Sequence, residues 1–111
     1  MSVRQNLTIT IERNVHARGT FATEPYECGW ASEAIFFVRK MDAAADLAGQ
    51  QLKVQISLDG MRWCDAGAAV SLSAAEVDFV RVTHFGNWLR LAGALPEDSE
   101  TRVLVVLSLK E

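Results

Sequence analysis

His16 and His84 are the only histidines of the chain, and neither has a Cys, His or carboxylate neighbour at the spacing a metal site uses. Each reads as a solvated or hydrogen-bonded structural histidine, and His84 falls beside a turn. Cys28 and Cys64 lie far apart, without Cys-x-x-Cys spacing or an activating local motif, so reduced thiols are expected rather than a disulfide. A Gly-x-Ser-x-Gly elbow and Gly-rich phosphate loops are absent. The members of a Ser/His/Asp triad converge only in space, so sequence does not exclude one. Glu24, Glu27 and Glu33 gather around Tyr26 and Trp30, where paired-carboxylate hydrolysis or calcium binding would have a candidate. Calcium loops are denser and use Asp and Asn, which favours a solvated loop beside an aromatic anchor. Asp59 is accounted for by the turn geometry of Asp59-Gly60 and needs no ligand. The expectation is a protein that is not an enzyme and holds no metal and no cofactor.

The elements that carry these residues read as strands. Leu7 to Glu12 alternates strictly, with Leu7, Ile9 and Ile11 on one face and Thr8, Thr10 and Glu12 on the other. Thr20 and Phe21 mark a weaker second strand, and Pro25 and Gly29 then break regularity. Ala34-Ile35-Phe36-Phe37-Val38 is an unbroken apolar run, suited to a central strand covered on both faces. Asp42 to Gln50 reads as a long connection with room for one helical turn. Ser73-Ala74-Ala75-Glu76 matches a capping box, but no apolar helix follows, so one turn at most is expected. Val103 to Leu109 is apolar almost throughout and belongs in mid-sheet or under a partner.

Two hairpins carry the expected fold. In Leu52 to Leu58 the even positions are apolar, and Asp59-Gly60 supplies a tight turn. A two-residue loop sets Leu58 opposite Met61 and Ile56 opposite Trp63; a three-residue loop with a bulge shifts that register by one. The second hairpin joins Val77–Thr83 to Trp88–Leu95 around Gly86-Asn87, pairing Phe85 with Trp88, Thr83 with Arg90 and Val82 with Leu91. Val80, Val82, Leu89 and Leu91 then form a core face. Arg81, Phe85, Trp88 and Arg90 form an outward face, which is the candidate interface because aromatic residues and Arg dominate binding surfaces. The competing reading is that a loop covers this face, or that Arg stems simply pack on Trp88. Trp30 and Trp63 are candidates for an aromatic platform. Seven or eight strands at short spacing, without a long helical period, indicate an all-β antiparallel sandwich, jelly-roll-like in plan.

At 111 residues and 50% apolar, residues 1–111 form one domain able to bury a core without staples. A net charge of -3 with 11 scattered basic residues argues against nucleic acid as a partner. The first residues lack a signal-peptide core and no stretch reaches membrane-spanning length, so a virion or cytoplasmic location is expected, without a membrane partner.

Val54-Gln55-Ile56-Ser57-Leu58-Asp59-Gly60-Met61-Arg62-Trp63 resembles the Ser-x-Asp-Gly-x-x-Trp hairpin of discoidin-like (coagulation factor 5/8 type C) sandwiches. It is also similar to hairpins in small β-sandwich proteins of phage particles. Phe-Gly-x-Trp-Leu-Arg-Leu at Phe85 to Leu91 resembles their aromatic-flanked Arg strand, and the likeness runs from Gln51 to Leu109. The phage resemblance, with apolar strand positions in excess of one face's needs, implies a structural or assembly protein. That is a capsid-decorating, head or tail component meeting protein partners or copies of itself. The discoidin resemblance implies the alternative, a carbohydrate-binding module with a glycan stacked on Trp30, Trp63 or Trp88.

Overall fold

A computed structural model describes residues 4–42 and 44–111. Residues 1–3, part of the start read as lacking a signal core, and residue 43 of the Ala-rich connection lie outside it. Nine strands are present among the described residues: β1 (Asn6–His16), β2 (Gly19–Ala22), β3 (Tyr26–Glu27), β4 (Glu33–Lys40), β5 (Gln51–Ser57), β6 (Trp63–Ser71), β7 (Val77–Thr83), β8 (Trp88–Leu95) and β9 (Arg102–Lys110). A four-stranded sheet has the order β1-β9-β4-β7, and a five-stranded sheet the order β2-β8-β5-β6 with β3 also on β8; all pairings are antiparallel.

The nine segments fill eight ladder positions. β2 and β3 lie along the same side of β8, with Ala22 opposite Ala92 and Tyr26 opposite Leu89. Between them Pro25 lacks an N–H to donate. Thr23 bridges the gap: its N–H donates to the Leu91 carbonyl and its hydroxyl accepts from the Leu91 N–H. With β2 and β3 taken as one interrupted strand, the arrangement is a jelly roll: eight positions in two facing sheets. The chain passes to the other sheet at every connection except β2 to β3 and the β5–β6 hairpin.

That plan corrects the expected second hairpin. β7 pairs with β4, whereas β8 is flanked by β5 on one side and by β2 and β3 on the other. Both edges of β8 are therefore occupied, and residues 84–87 carry the chain between the sheets. His84 adopts a left-handed φ of 56° there. Val82, Leu89 and Leu91 still share one core, but they meet it from opposite sheets.

The first hairpin exists with the shifted register. Ser57 opposes Trp63 and Ile56 opposes Cys64, so residues 58–62 form the loop. A two-residue primed turn needs positive φ at both central residues. Gly60 has φ 81°, but Asp59 does not adopt a positive φ. Leu58 and Met61, read as a facing core pair, are 83% and 77% exposed at the tip.

The core lies between the sheets. Phe36, Val38, Leu52, Val54, Leu89, Leu91, Val105 and Leu107 are buried, each worth about 1.5–3 kcal/mol on removal from water. At Gly93, a Cβ would come within 2.8 Å of the Gln51 carbonyl oxygen, which permits β5 to begin close against β8. β1 is an edge strand whose register shifts between Thr10 and Glu12 and again before Val15. The shifts break the strict alternation, yet Ile9, Ile11 and Val15 still pack on the core. The Asp42–Gln50 connection contains one 3-10 turn, Ala44–Leu47, anchored by buried Leu47. Residues 74–76 form no helix, and Ser73 instead binds Asp78. No helix among the described residues is long and apolar enough to cross a membrane.

Candidate interaction surfaces

The outer face of the five-stranded sheet collects three of the singled-out residues. Ser57 lies between Trp63 on β6 and Trp88 on β8, so the two indoles flank it in one cross-strand row. In the next row Gln55 lies between Asp65 and Arg90. The Arg90 guanidinium sits over the Trp63 ring, 4.3 Å from its centroid, while its Nε donates to Gln55 Oε1 at 2.8 Å. Gln55 Nε2 in turn donates to Asp65 Oδ1 at 2.9 Å, and Lys53 Nζ approaches Asp65 Oδ2 at 3.4 Å. The Gln55 hydrogen bond first, then Lys53, holds the Asp65 carboxyl below the usual carboxylate range. Beside this network runs an open groove of about 580 Å³, bordered by Gln51, Lys53, Gln55, Asp65, Ala92 and Ala94.

The β5–β6 loop above Trp88 is organised by two side chains. Ser57 Oγ accepts the N–H groups of Asp59 and Gly60, and Asp59 Oδ1 accepts those of Met61 and Arg62 at 2.9 Å. These backbone donors, with Arg62 Nη1 at 2.6 Å from Oδ2, pull the Asp59 carboxyl down to about 2. Gly60 sits against the Trp88 indole, where a Cβ would meet the ring at 3.2 Å. The Asp-Gly pair is thus explained by turn geometry, as its sequence suggested.

The expected interface is divided between the two sheets. Arg81 is on β7 in the four-stranded sheet, its guanidinium 5.0 Å from the Phe79 centroid. Trp88 and Arg90 are on β8 in the other sheet, and Phe85 lies in the connection, partly buried against the core. The physical reason is the occupied edges of β8, which leave β7 no place beside it. Of the expected platform, Trp63 lies under Arg90, and Trp30 is exposed in the turn between β3 and β4. The carboxylates also separate: Glu27 pairs opposite Trp88, whereas Glu33 lies in the four-stranded sheet, 3.6 Å from Arg4. Among the described residues, no group of three or more His, Cys, Asp or Glu is placed to hold a metal ion. His16 Nε2 is 2.6 Å from the Ser99 carbonyl, and His84 Nδ1 is 3.2 Å from Thr83 Oγ1. Both cysteines are free thiols.

Sequence reading did not single out the outer face of the four-stranded sheet. Buried Ala34, Phe36 and Val38 point inward from β4, so Ile35 and Phe37 point outward. Phe37 lies between Val106 of β9 and Phe79 of β7, and Arg39 lies between Leu104 and Val77. Ile35, Phe37, Val77, Phe79, Leu104 and Val106 thus form adjoining rows of apolar side chains. Val77 is 46% and Phe79 49% exposed, and Phe37 and Phe79 rings stand 6.1 Å apart. β4 was expected to be covered on both faces, but its outer residues keep only their in-sheet neighbours and remain part-exposed. The signal was present in the unbroken apolar runs of β4 and β9.

No family model and no curated protein matches this chain. Its fold is similar to the crystal structure of the SPBc2 prophage-derived protein YomS, with a TM-score of 0.65 and 7% sequence identity. The alignment covers 100% of this chain and 97% of that one. The comparisons give no support to the discoidin-like resemblance.

Proposed function

We propose that this chain is a non-catalytic assembly protein of a phage particle, a capsid-decorating, head or tail component, acting through protein–protein contacts. The observation that carries the reading is the apolar outer face centred on Phe37 and Phe79. Antiparallel sheets of a sandwich ordinarily alternate apolar inward with polar outward, and a contiguous exposed apolar patch marks a contact surface. Likeness of fold to a prophage-derived protein over both chains' lengths supports the phage setting. The test is to band particles on a density gradient after induction of the strain that carries the gene. The chain is expected in the particle fraction, and Phe79→Asp is expected to remove it. Wild-type chain found only outside that fraction overturns the reading.

One observation favours the glycan-binding alternative: Gln55, Asp65 and Lys53 border an open groove on the five-stranded sheet, with Trp63 in the neighbouring cross-strand row. Amide, carboxylate and ammonium groups beside an indole suit hydroxyl-rich ligands. A glycan array on which the wild type binds and Trp63→Ala does not would support this alternative, and a blank array removes it.

A further inference from the structure

Among the described residues the sheets end in four edges: β1 and β7 in one sheet, β6 and the β2–β3 line in the other. Three of these edges carry interruptions that keep a strand from pairing with another chain. β1 shifts register between Thr10 and Glu12 and again before Val15. β6 shifts opposite Lys53–Gln55, where Gly67 takes a φ of 93°. The β2–β3 line is broken around Pro25, which has no N–H. The edge formed by β7 is unbroken, with Val77 to Thr83 paired in order against Arg39 to Glu33 of β4.

The hydrogen bonds of β4 show which backbone groups of β7 stay open. Lys40 N–H donates to the Glu76 carbonyl at 2.8 Å, and antiparallel pairs alternate between bonded and non-bonded. Asp78, Val80 and Val82 therefore bond to β4, whereas Val77, Phe79, Arg81 and Thr83 aim their N–H and C=O groups away from it. On the opposite side of β4, the bond from Met41 N–H to the Arg102 carbonyl fits the same alternation. No partner among the described residues meets those open groups. They are spaced symmetrically about Val80.

We infer that β7 pairs antiparallel with β7 of a second copy, across a two-fold axis at Val80. A two-fold contact sets one surface against its own image. In this register Val77 lies opposite the other copy's Thr83, and Phe79 opposite its Arg81, so each open N–H meets an open carbonyl. Phe79 with Arg81 is also a pair the chain makes within itself, the guanidinium 5.0 Å from the ring centroid. Sliding the strands by two residues shortens the overlap, and in one direction it sets Arg81 against Arg81, like charge on like. Asp78, on the inner side of the strand, keeps its bond to Lys40. This contact goes beyond the assembly reading, since it uses the backbone of the sheet's edge and not its outward side chains.

Sedimentation velocity over graded concentrations of the full chain, with hydrogen exchange resolved at single amides, tests this. The expected species has twice 12.2 kDa. In it the Phe79 and Arg81 amides are protected, and they exchange freely after dilution to monomer, whereas the Val80 and Val82 amides stay protected in both. Arg81→Pro removes an outward N–H that the monomer does not use, and is expected to raise the dimer dissociation constant roughly tenfold or more. Arg81→Ala keeps that N–H and is expected to retain the dimer. A wild type that stays monomeric overturns the inference, as does a dimer unmoved by a folded Arg81→Pro. A dimer whose Phe79 and Arg81 amides exchange as freely as the monomer's also overturns it, and this wild-type measurement decides the matter if the proline variant unfolds. A monomer that still enters the particle fraction overturns the edge contact and leaves the assembly reading.

Discussion

At the scale of single residues, the environments of a few titratable groups set measurable behaviour. Burial, with Glu27 adding to it, pushes the Cys28 thiol up to about 11, whereas Cys64 is exposed on β6. A disulfide-exchange reagent is expected to label one thiol in the native protein, at Cys64, and two in denaturant. Asp59 has its folded-state pKa lowered from 3.8 to about 2. A lowered carboxylate pKa contributes stability above the unfolded value, and that contribution is lost as pH falls from about 3.8 through about 2. The Met61 and Arg62 amide resonances are expected to titrate near the lower of those values. Lys40 has a fully buried side chain that binds the Asp78 carboxylate. Burial pushes Asp78 up, but Lys40 and the Ser73 N–H and hydroxyl outweigh it and hold the carboxyl below its ordinary range. Lys40→Ala leaves Asp78 without its cation, and a loss of about 3–5 kcal/mol is expected in urea unfolding.

At the scale of elements, β4 shows how one strand serves two purposes. Phe36 and Phe37 are neighbours in sequence on opposite faces, one in the core and one in the outward patch. Phe36→Ala is expected to cost about 3–5 kcal/mol through lost burial and the cavity left behind. Phe79→Ser, on the strand beside it, is expected to stay within about 0.5 kcal/mol as an exposed substitution. Denaturant midpoints of the two variants at matched concentration check the pair; a large cost at Phe79 would mean that this face belongs to the fold. β8 teaches a different lesson. Its edges are taken by β5, β2 and β3, so the Gly86-Asn87 signal marks a passage between sheets. An alternating strand states which residues face the core, but not which sheet it joins.

At the scale of the whole molecule, the jelly-roll path joins the ends of the sequence. β1 pairs with β9, setting Asn6 opposite Lys110. Nearly every sheet contact closes a long loop before it is rewarded, and such topologies fold slowly. Stopped-flow fluorescence of the 3 tryptophans is expected to show refolding on the millisecond-to-second scale. A microsecond phase carrying the full amplitude would contradict this. The same path leaves the four-stranded sheet with an outer face that no other segment of the described chain crosses. The assembly reading rests on that face.

Much was legible from residues alone. Alternation and turn residues established an all-β sandwich, because side chains on a strand must point to opposite faces. Asp59-Gly60 located the one hairpin among the described residues, and the excess of apolar residues in β4 and β9 signalled something beyond a single core. Only the tertiary structure decided which strands pair. Partner choice depends on which edges are already occupied, and no residue records that locally. For that reason Arg81 and Trp88, seven residues apart in sequence, lie on different sheets, whereas Trp63, Trp88 and Arg90 share one surface. The bare face of the four-stranded sheet was decided in the same way, since whether an apolar residue is covered depends on where the rest of the chain travels.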